Sequence, residues 1–350
     1  MRRFKKASVT VWLLFLLVSA AAHAEPSREV VRVAENMLLH QRSNGGWPKN
    51  YDQKAELGAE QKERLAAQRD RKDTTFDNGA THSEVAHLAR VFAKGGDERF
   101  REAALHGIDF MLEAQYDNGG WPQFHPDLSG YRKHITFNDN AMIGVMTVLR
   151  DIARRRPEYR FVDRERRARA AEAVTRGIQC ILMCQIIVDG RRTAWCAQHD
   201  RETLAPAKAR SYELPSISGS ESVGIVRFLM AIEQPDDDVV DAIQGAVAWF
   251  DRAKLEGIRL IRQEDASKSR GWDRVVVQDP EAPPMWARFY EIGTNEPIFC
   301  SRDGIPRATL AEISYERRTG YSWLGRYAGD LLTEDYPRWC ARVGQPSVLR

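Results

Sequence analysis

The sequence predicts a mainly α-helical protein in which helical hairpins form a toroid, with an irregular C-terminal part that contains short strands. Three observations predict this class: a tryptophan loop recurs at a long, fixed offset, apolar residues recur at helical spacing, and that spacing stops near Gly257. A fixed period usually marks stacked supersecondary units that share one core. A solenoid of short helical repeats is the main alternative, but the period here is longer than the usual helical repeat.

The chain begins with a segment that has the pattern of a secretory signal peptide. Residues 1–24 contain a basic start, an apolar run over 9–18 and a final Ala-His-Ala site. The apolar run is too short to span a bilayer as a helix. We therefore expect an exported protein, secreted or periplasmic, in which residues 25–350 form a single catalytic domain.

The net charge changes when this segment is removed. The full sequence has 52 basic and 49 acidic residues, and the leader holds four of the cations and no acid, so 48 basic residues face 49 acidic ones afterwards. This near-neutral balance argues against a nucleic-acid binder, which needs a strong excess of positive charge. No later segment is long and apolar enough to predict a membrane span.

The tryptophan loop occurs twice in nearly the same form. Asn-Gly-Gly-Trp-Pro-Lys at 44–49 returns as Asn-Gly-Gly-Trp-Pro-Gln at 118–123, an offset of 74 residues, and Trp195 stands another 74 residues on in a degraded third copy. A second motif supports the period, since Thr-Phe-Asp-Asn at 75–78 resembles Thr-Phe-Asn-Asp at 136–139. Each unit thus reads helix, tryptophan loop, polar turn and helix.

Apolar residues at helical spacing predict the helices between these motifs. A third turn and helix start is expected near Ser218, short strands are expected over 258–261 and 275–277, and a last helix is expected over 323–332. The apolar positions that define the main helices are Val30, Val33, Met37, Val85, Leu88, Phe92, Ile108, Met111, Val145, Leu149, Val174, Ile178, Ile181, Val223, Val226, Leu229, Val239, Ile243 and Val247.

Asp77 and Asp139 lie in the two polar turns, which antiparallel helices would bring to one rim of the molecule. The alternative role is helix N-capping, for which Asp is a preferred residue. Two aspartates at matched positions, each preceded by Thr-Phe and beside an Asn, favour a shared role instead. Clustered carboxylate and amide oxygens suit a hard cation such as calcium. For Trp47 and Trp121, stacking on a sugar and burial between hairpins are equally compatible with the loop.

Loops rich in cations and aromatic residues occupy two stretches, 195–213 and 286–302. Such loops suit an anionic ligand with faces to stack on, because Arg grips carboxylates through paired hydrogen bonds. In an exported protein this pattern indicates an acidic polysaccharide. For Arg317 and Arg318, beside Glu316, ion pairs at the surface are the simpler interpretation. The cations that could bind such a ligand are Lys208, Arg210, Arg288 and Arg302.

Other catalytic patterns are absent or ambiguous. His199 could be a general base, but a histidine in a tight turn between two polar residues more often has a structural role. No Gly-x-Ser-x-Gly, phosphate-cradling loop or His-Glu-x-x-His occurs, so acyl transfer, nucleotide chemistry and zinc proteolysis have no support. The five cysteines are interpreted as small buried side chains, with up to two disulfides left open.

At these motifs the sequence resembles the pectate lyases of polysaccharide lyase family 10, over about residues 26–339. The landmarks are the second tryptophan loop, Phe-Asn-Asp-Asn at 137–140, Trp-Cys-Ala-Gln-His-Asp at 195–200, Lys-Ala-Arg-Ser-Tyr-Glu at 208–213 and Trp-Ala-Arg-Phe-Tyr at 286–290. The resemblance implies a partial α/α toroid that cleaves polygalacturonate by β-elimination with calcium. The expected partner is a pectate chain, and the protein is expected to act as a monomer.

The resemblance also implies roles for individual residues. Asp77 and Asp139 would help to hold calcium and the substrate carboxylate, and Arg210 would accept the C5 proton of galacturonate. The substrate contacts expected around them are Lys208, Arg288, Arg302 and Trp121.

The expected chemistry depends on neutralising a carboxylate. The C5 proton lies next to a carboxylate whose negative charge makes proton removal unfavourable, and calcium and arginines would offset that charge. Arginine is a poor base because it stays protonated in proteins, so either its pKa is lowered far or it positions a water or hydroxide. Two alternatives stay open: an α/α-toroid glycoside hydrolase that acts on uronides through a carboxylate pair, and a non-catalytic pectin-binding protein.

Overall fold

The computed structural model describes residues 25–349, and the predicted signal peptide lies outside this range. Helices dominate the fold, as the apolar spacing predicts. In chain order α1 to α10 are Arg28–His40, Ala59–Ala66, His82–Gly95, Glu98–Glu113, Ala141–Ala153, Arg164–Cys184, Glu221–Met230, Asp237–Arg252, Tyr315–Gly320 and Tyr336–Val343.

The longer helices form two curved layers. Helices α1, α4, α6 and α8 follow one another in the first layer, and α3, α5 and α7 follow one another in the second. The layers contact each other through the pairs α3–α4, α5–α6 and α7–α8. This arrangement is the partial α/α toroid that was expected. Within residues 25–349, no helix has the length and apolar character that a membrane crossing requires.

Each unit is locked by the same tryptophan contact. The buried indole Nε1 of the loop donates a hydrogen bond to a backbone carbonyl near the end of the preceding first-layer helix. The third copy, degraded in sequence, keeps this contact, and a fourth occurs where the irregular C-terminal part begins. The pairs are Trp47 with Met37 (2.8 Å), Trp121 with Met111 (2.8 Å), Trp195 with Ile181 (2.7 Å) and Trp286 with Phe250 (2.9 Å).

A glutamine just after each of the first three of these helices fastens neighbouring units together. Its Nε2 donates to two carbonyls, one in its own tryptophan loop and one in the next helix of the first layer. The bridge satisfies backbone acceptors that would otherwise be buried without partners. The three bridges are Gln41 to Gly45 and Ala103, Gln115 to Gly119 and Ala173, and Gln185 to Thr193 and Ala242, at 2.9–3.0 Å.

One hydrophobic core runs through both layers and into the C-terminal part. Seven tryptophans are among its largest fully buried side chains. All five cysteines are buried free thiols, which agrees with their interpretation as small apolar side chains. A core of this size does not need disulfides for stability.

The C-terminal part is built from short strand pairs and loops. The two predicted strands are confirmed and extend further, as the antiparallel pair Ile258–Glu264 and Trp272–Gln278. The predicted helix over 323–332 starts too early, because Leu324 lies in a two-residue strand. A π-helix, Leu331–Asp335, overlaps only the end of the predicted range and leads into α10. In chain order β1 to β12 are Ile135–Thr136, Ile187–Val188, Arg191–Arg192, Gln198–His199, Ile217–Ser218, Ile258–Glu264, Trp272–Gln278, Trp286–Ala287, Phe289–Tyr290, Phe299–Cys300, Pro306–Arg307 and Leu324–Gly325.

Candidate active site

The two polar turns have the same backbone conformation, but the order of their Asp and Asn residues is reversed. Each is a single 3₁₀ turn before a second-layer helix, with a left-handed residue in its middle. That residue is Asn78 (φ 53°) in the first turn and Asp139 (φ 51°) in the second, and Asn and Asp tolerate this conformation best. Asp77 therefore corresponds to Asn138, so the two aspartates occupy adjacent rather than matching positions of the turn.

N-capping does not account for either aspartate. Asp77 is 3% exposed; its Oδ2 contacts the Nζ of Lys49, and its buried Oδ1 has no hydrogen-bond partner among residues 25–349. The Asp139 side chain is 37% exposed and accepts a hydrogen bond from Asn138 at 2.6 Å. Neither α3 nor α5 has a side-chain cap. Both carboxylates are thus placed for a role other than holding a helix end.

The carboxylates at this rim lie close enough to influence one another. Burial raises the pKa of Asp139, Arg288 opposes the rise, and the negative charges of Glu221 and Asp77 add to it. A cation between such carboxylates would relieve their repulsion. The part of the chain that the structure describes has no group of three or more acidic, histidine or cysteine side chains that could hold a metal ion.

Arg288 links the acidic turns to the C-terminal part. Its Nη2 forms an ion pair with Glu221, donates to Asn138 Oδ1 at 3.2 Å and lies 3.5 Å from Asp139 Oδ1. Its backbone carbonyl accepts from Gly219 at 2.9 Å, which holds it at the third turn. Burial disfavours its charged form, but Glu221, Tyr321 and Asp139 together outweigh burial and raise the pKa of Arg288. Arg288 is therefore a buried cation beside Asp139.

Arg210 is held by a single glutamate. Its backbone N and its Nε donate to Glu213 Oε2 at 3.1 and 2.7 Å, and its Nη2 donates to the other carboxylate oxygen. Glu213 is buried and also accepts from the Tyr321 hydroxyl at 2.8 Å. Burial disfavours the charged guanidinium, but hydrogen bonds and charge from Glu213 outweigh it and raise the pKa of Arg210. Arg210 is thus a protonated side chain, 41% exposed.

The ring of Tyr321 joins the two arginines. The guanidinium carbons of Arg210 and Arg288 lie 5.5 and 4.7 Å from its centre, within the range of cation–π contacts. Tyr321 packs edge-on against Tyr212, with ring centres 5.3 Å apart. Because Asp139 lies beside Arg288, a continuous row of contacts runs from that aspartate to Arg210 on one rim.

The remaining predicted cations lie on the exposed side of this row. Arg302 pairs with Glu316 at 3.0 and 3.3 Å, and its guanidinium carbon lies 5.7 Å from the ring centre of Tyr212. Lys208 is exposed, and its Nζ lies beside Gly304 in the Arg302 loop. The ion pairs expected nearby are also present, as Arg317 with Glu316 and Arg318 with Asp273.

Trp121 does not belong to this surface. Its ring is 0% exposed and its Nε1 is used by the Met111 carbonyl, so it cannot stack on a sugar. The expectation that Trp121 contacts substrate is wrong, and the alternative of a ring buried between hairpins holds for Trp47 as well.

His199 has a structural role. Its Nδ1 bonds to the Leu204 carbonyl at 2.8 Å, and its Nε2 accepts from the Cys196 backbone N at 3.0 Å. Burial lowers the pKa of His199 to about 4. Both ring nitrogens are occupied, so the general-base interpretation has no geometric support.

Sequence reasoning missed Lys49, Glu213, Glu221 and Tyr321. Glu213 follows Arg210 by three residues, a spacing that closes a turn, and this could have indicated the pair. Lys49 stands in the first tryptophan loop, where the second has Gln, and that difference is also a signal. For Tyr321 no local pattern exists.

Comparisons with known proteins fit this geometry. The family model described as Pectic acid lyase matches residues 41–332. A solved family 10 polysaccharide lyase from Cellvibrio cellulosa is 38% identical with a TM-score of 0.76, and the match covers 89% of this chain and 91% of that one. A mutant of a family 10 polysaccharide lyase from the same organism, in complex with trigalacturonic acid, is 37% identical with a TM-score of 0.78, covering 92% and 95%. No curated protein gives a match.

Proposed function

The chain belongs to the pectic acid lyase family and is a polysaccharide lyase, and from this premise we propose that it cleaves polygalacturonate by calcium-assisted β-elimination. The products are oligogalacturonides with a 4,5-unsaturated end. One observation carries the proposal: Asp139, Arg288, Tyr321 and Arg210 form a continuous row, with carboxylates at one end and cations along it. The similar structure that contains trigalacturonic acid supports a uronic acid substrate.

The row suits proton removal next to a carboxylate. The buried Arg288 and the exposed Arg302 and Lys208 present positive charge to a uronate carboxylate, which lowers the cost of taking the C5 proton. The ion pair with Glu221 fixes the position of Arg288 and favours its charged form. The electron pair left at C5 then forms the C4–C5 double bond as the C4–O4 bond of the same galacturonate breaks. The departing oxygen stays on C1 of the adjoining sugar and takes up a proton from water.

The residues fit calcium as an ion shared with substrate. Asp77 offers a buried Oδ1 that has no hydrogen-bond partner among the described residues, and Asp139 offers a carboxylate whose pKa is raised by burial and by the neighbouring acids. Calcium takes about six to eight oxygen ligands, so the substrate carboxylate and water must supply the rest. Calcium, when bound there, adds positive charge at the uronate carboxylate. The buried Oδ1 is the feature that fits a cation best.

Arg210 is proposed to occupy the position of the C5 proton acceptor. Its pairing with Glu213 raises its pKa, so it can accept a proton directly only if substrate binding replaces that pairing. Otherwise the guanidinium orients a water or hydroxide that takes the proton. In both cases Arg210 stands beside the reacting carbon, and Tyr321 and Glu213 determine where it points.

Family membership favours the lyase over the two alternatives, hydrolysis by a carboxylate pair and binding without catalysis. We further propose that the protein is exported, to the periplasm or the medium, and acts as a monomer. The pattern of residues 1–24 supports export. Sequencing the N-terminus of protein recovered from medium and periplasm tests this, with cleavage after Ala24 as the expected result.

The function is tested by incubating the protein with polygalacturonate and calcium and following ultraviolet absorbance. We expect the absorbance of an unsaturated product to rise, and a chelator to abolish the rise. Reducing ends released without absorbance would indicate hydrolysis instead. Binding without either product would indicate a non-catalytic protein.

A further inference from the structure

Asp77 already has a cation of the chain's own. The Nζ of Lys49 contacts Asp77 Oδ2, while Asp77 Oδ1 has no partner among the described residues. A buried carboxylate without a counter-charge is costly, and Lys49 supplies a positive charge next to Asp77. Lys49 comes from the first tryptophan loop, and its Nζ also lies 5.5 Å from the ring centre of Phe124.

The second unit has no such pair. At the position that matches Lys49 it carries Gln123, and at the position that matches Asp77 it carries Asn138. The backbone of the turn is the same in both units, so the repeat does not require an ion pair here. The Lys49–Asp77 contact is therefore present in the first unit and absent from the second, at the turn proposed to hold calcium.

Two cations near the turns differ in how easily they can move. Arg288 is buried and held by Glu221, Asn138 and a backbone contact, which fixes it beside Asp139. The Lys49 side chain is 33% exposed, and its ammonium ends a flexible four-carbon stem. Lys49 can thus leave Asp77 for solvent while Arg288 stays.

We propose that Lys49 is a built-in competitor for calcium at Asp77, so that it sets the calcium concentration at which the site fills. This inference rests on the proposed function, because it takes Asp77 as a calcium ligand. A calcium ion that binds Asp77 through both carboxylate oxygens must displace the Lys49 ammonium. Its affinity is therefore reduced by the free energy needed to break that ion pair. Without calcium, the ammonium keeps the buried carboxylate neutralised.

The test is calcium titration by calorimetry of the purified full chain with Lys49→Gln, which copies the residue of the second loop. We expect calcium to bind about fivefold more tightly, which corresponds to about 1 kcal/mol, the value of a partly exposed ion pair. Lys49→Arg should bind calcium no more tightly than the wild type. The matched control is Lys54→Gln, a lysine of the same segment that pairs with Glu29 at 3.1 Å on the surface, and its affinity should not change.

A second measurement keeps the test independent of any loss of stability. In chelator, Lys49→Gln should melt at a lower temperature than the wild type, because Asp77 loses its counter-charge. Added calcium should then raise the melting temperature more in Lys49→Gln than in the wild type. If Lys49 had only a structural role, Lys49→Gln would lower the melting temperature by the same amount in chelator and in calcium. That result would overturn the proposal.

Asp77→Asn separates failure of this inference from failure of the proposed function. If Asp77→Asn weakens calcium binding but Lys49→Gln leaves it unchanged or weaker, Lys49 is not a competitor and the calcium assignment stands. If Asp77→Asn leaves calcium binding unchanged, Asp77 is not a ligand, and both proposals about this residue fail.

Discussion

The first and second helical units have the same frame and different charges. In both, a buried tryptophan bonds to the preceding helix, a glutamine reaches the next one, and a 3₁₀ turn places a left-handed residue before a second-layer helix. The polar residues of the turns are exchanged, with Asp77 before Asn78 in the first and Asn138 before Asp139 in the second. The packing contacts are thus the same in both units, while the positions of the charged side chains differ.

This difference indicates where stability and chemistry reside. Residues that are the same in both units bury apolar surface and pair with backbone groups. Substituting them should therefore change the free energy of unfolding. Positions that differ among the units, including the long third loop with Arg210, should affect turnover. Substitutions at the two kinds of position can contradict that division or make it sharper.

The largest effect is expected at Arg210, which has no counterpart in the other units. Arg210→Ala should lower kcat on polygalacturonate by about 1,000-fold or more, equivalent to about 4 kcal/mol of barrier, with KM little changed. Because Glu213 would be left buried and unpaired, Arg210→Lys is the control that keeps a cation there. Its kcat should fall nearly as far while its melting temperature stays close to that of the wild type. Near-normal kcat in both would place the proton acceptor elsewhere.

His199 is an instructive exception, since it lies in the differing third loop but stabilises the fold. Its pKa is about 4 in the folded chain and about 6.5 when unfolded. As pH falls from 6.5 to 4, the unfolded chain takes up a proton that the folded chain does not, so stability falls. The loss is about 1 kcal/mol per pH unit between the two pKa values and about 3 kcal/mol in all, and it fades out over the pH unit above 6.5.

Urea unfolding at several pH values checks this, with His199→Asn as the comparison. The variant should be less stable at neutral pH but should lose less stability between pH 6.5 and 4. An equal pH dependence in both proteins would mean that His199 is not the group responsible.

The exchange of acid and amide in the turns can be reversed. Asp77→Asn combined with Asn78→Asp gives the first turn the order of the second, at constant net charge and with a residue type that tolerates positive φ. We expect kcat to fall by about 100-fold, because the carboxylate moves from a buried to an exposed position. Circular dichroism should show an unchanged fold. Retained activity would mean that charge matters here but its position does not.

The shared tryptophans should behave alike. Trp47→Phe, Trp121→Phe and Trp195→Phe each remove the indole donor of a buried carbonyl and leave a small gap, which should cost about 2 kcal/mol of unfolding free energy. The cost should be somewhat smaller for Trp47→Phe, because the Met37 carbonyl also accepts from the Gln41 backbone N at 3.1 Å. Turnover of the folded protein should change by less than about twofold. Urea unfolding measures the three costs, and a much smaller cost at Trp195 would show that the third copy is weaker than its geometry indicates.

The parts of the fold that follow from local sequence were predictable. Helices in the units, the third turn near Ser218 and the strand pair from Ile258 follow from apolar spacing and repeated motifs. The predicted helix over 323–332 failed over most of its length because Leu324 is buried in a strand pairing that depends on a distant segment, and helical structure begins only near Leu331. Trp121 failed because the same ring chemistry suits a sugar surface and a buried plug, and only packing decides between them.

The identities of several site residues were predictable from the sequence, but the contacts between them were not. Asp139, Arg288 and Arg210 were found from motifs, and the structure brings them to one rim. The residue that joins the arginines, Tyr321, lies 108 positions after Glu213, to which it donates a hydrogen bond. Contacts of this kind arise from the path of the chain through the C-terminal part, and no spacing in the sequence reports them.

The buried tryptophans of the loops also allow the segments between them and the following turns to vary. Each turn is tied back to its anchor by a bond to the tryptophan carbonyl, at Thr75, Thr136 and Ser218, although the intervening segments 48–74, 122–135 and 196–217 differ in length. Loop grafting should therefore succeed in the first segment beyond Lys49, because both ends of the graft are clamped to the frame and the segment holds neither Arg210 nor His199. A scaffold with this property can acquire new polysaccharide preferences by loop exchange without a redesigned interior.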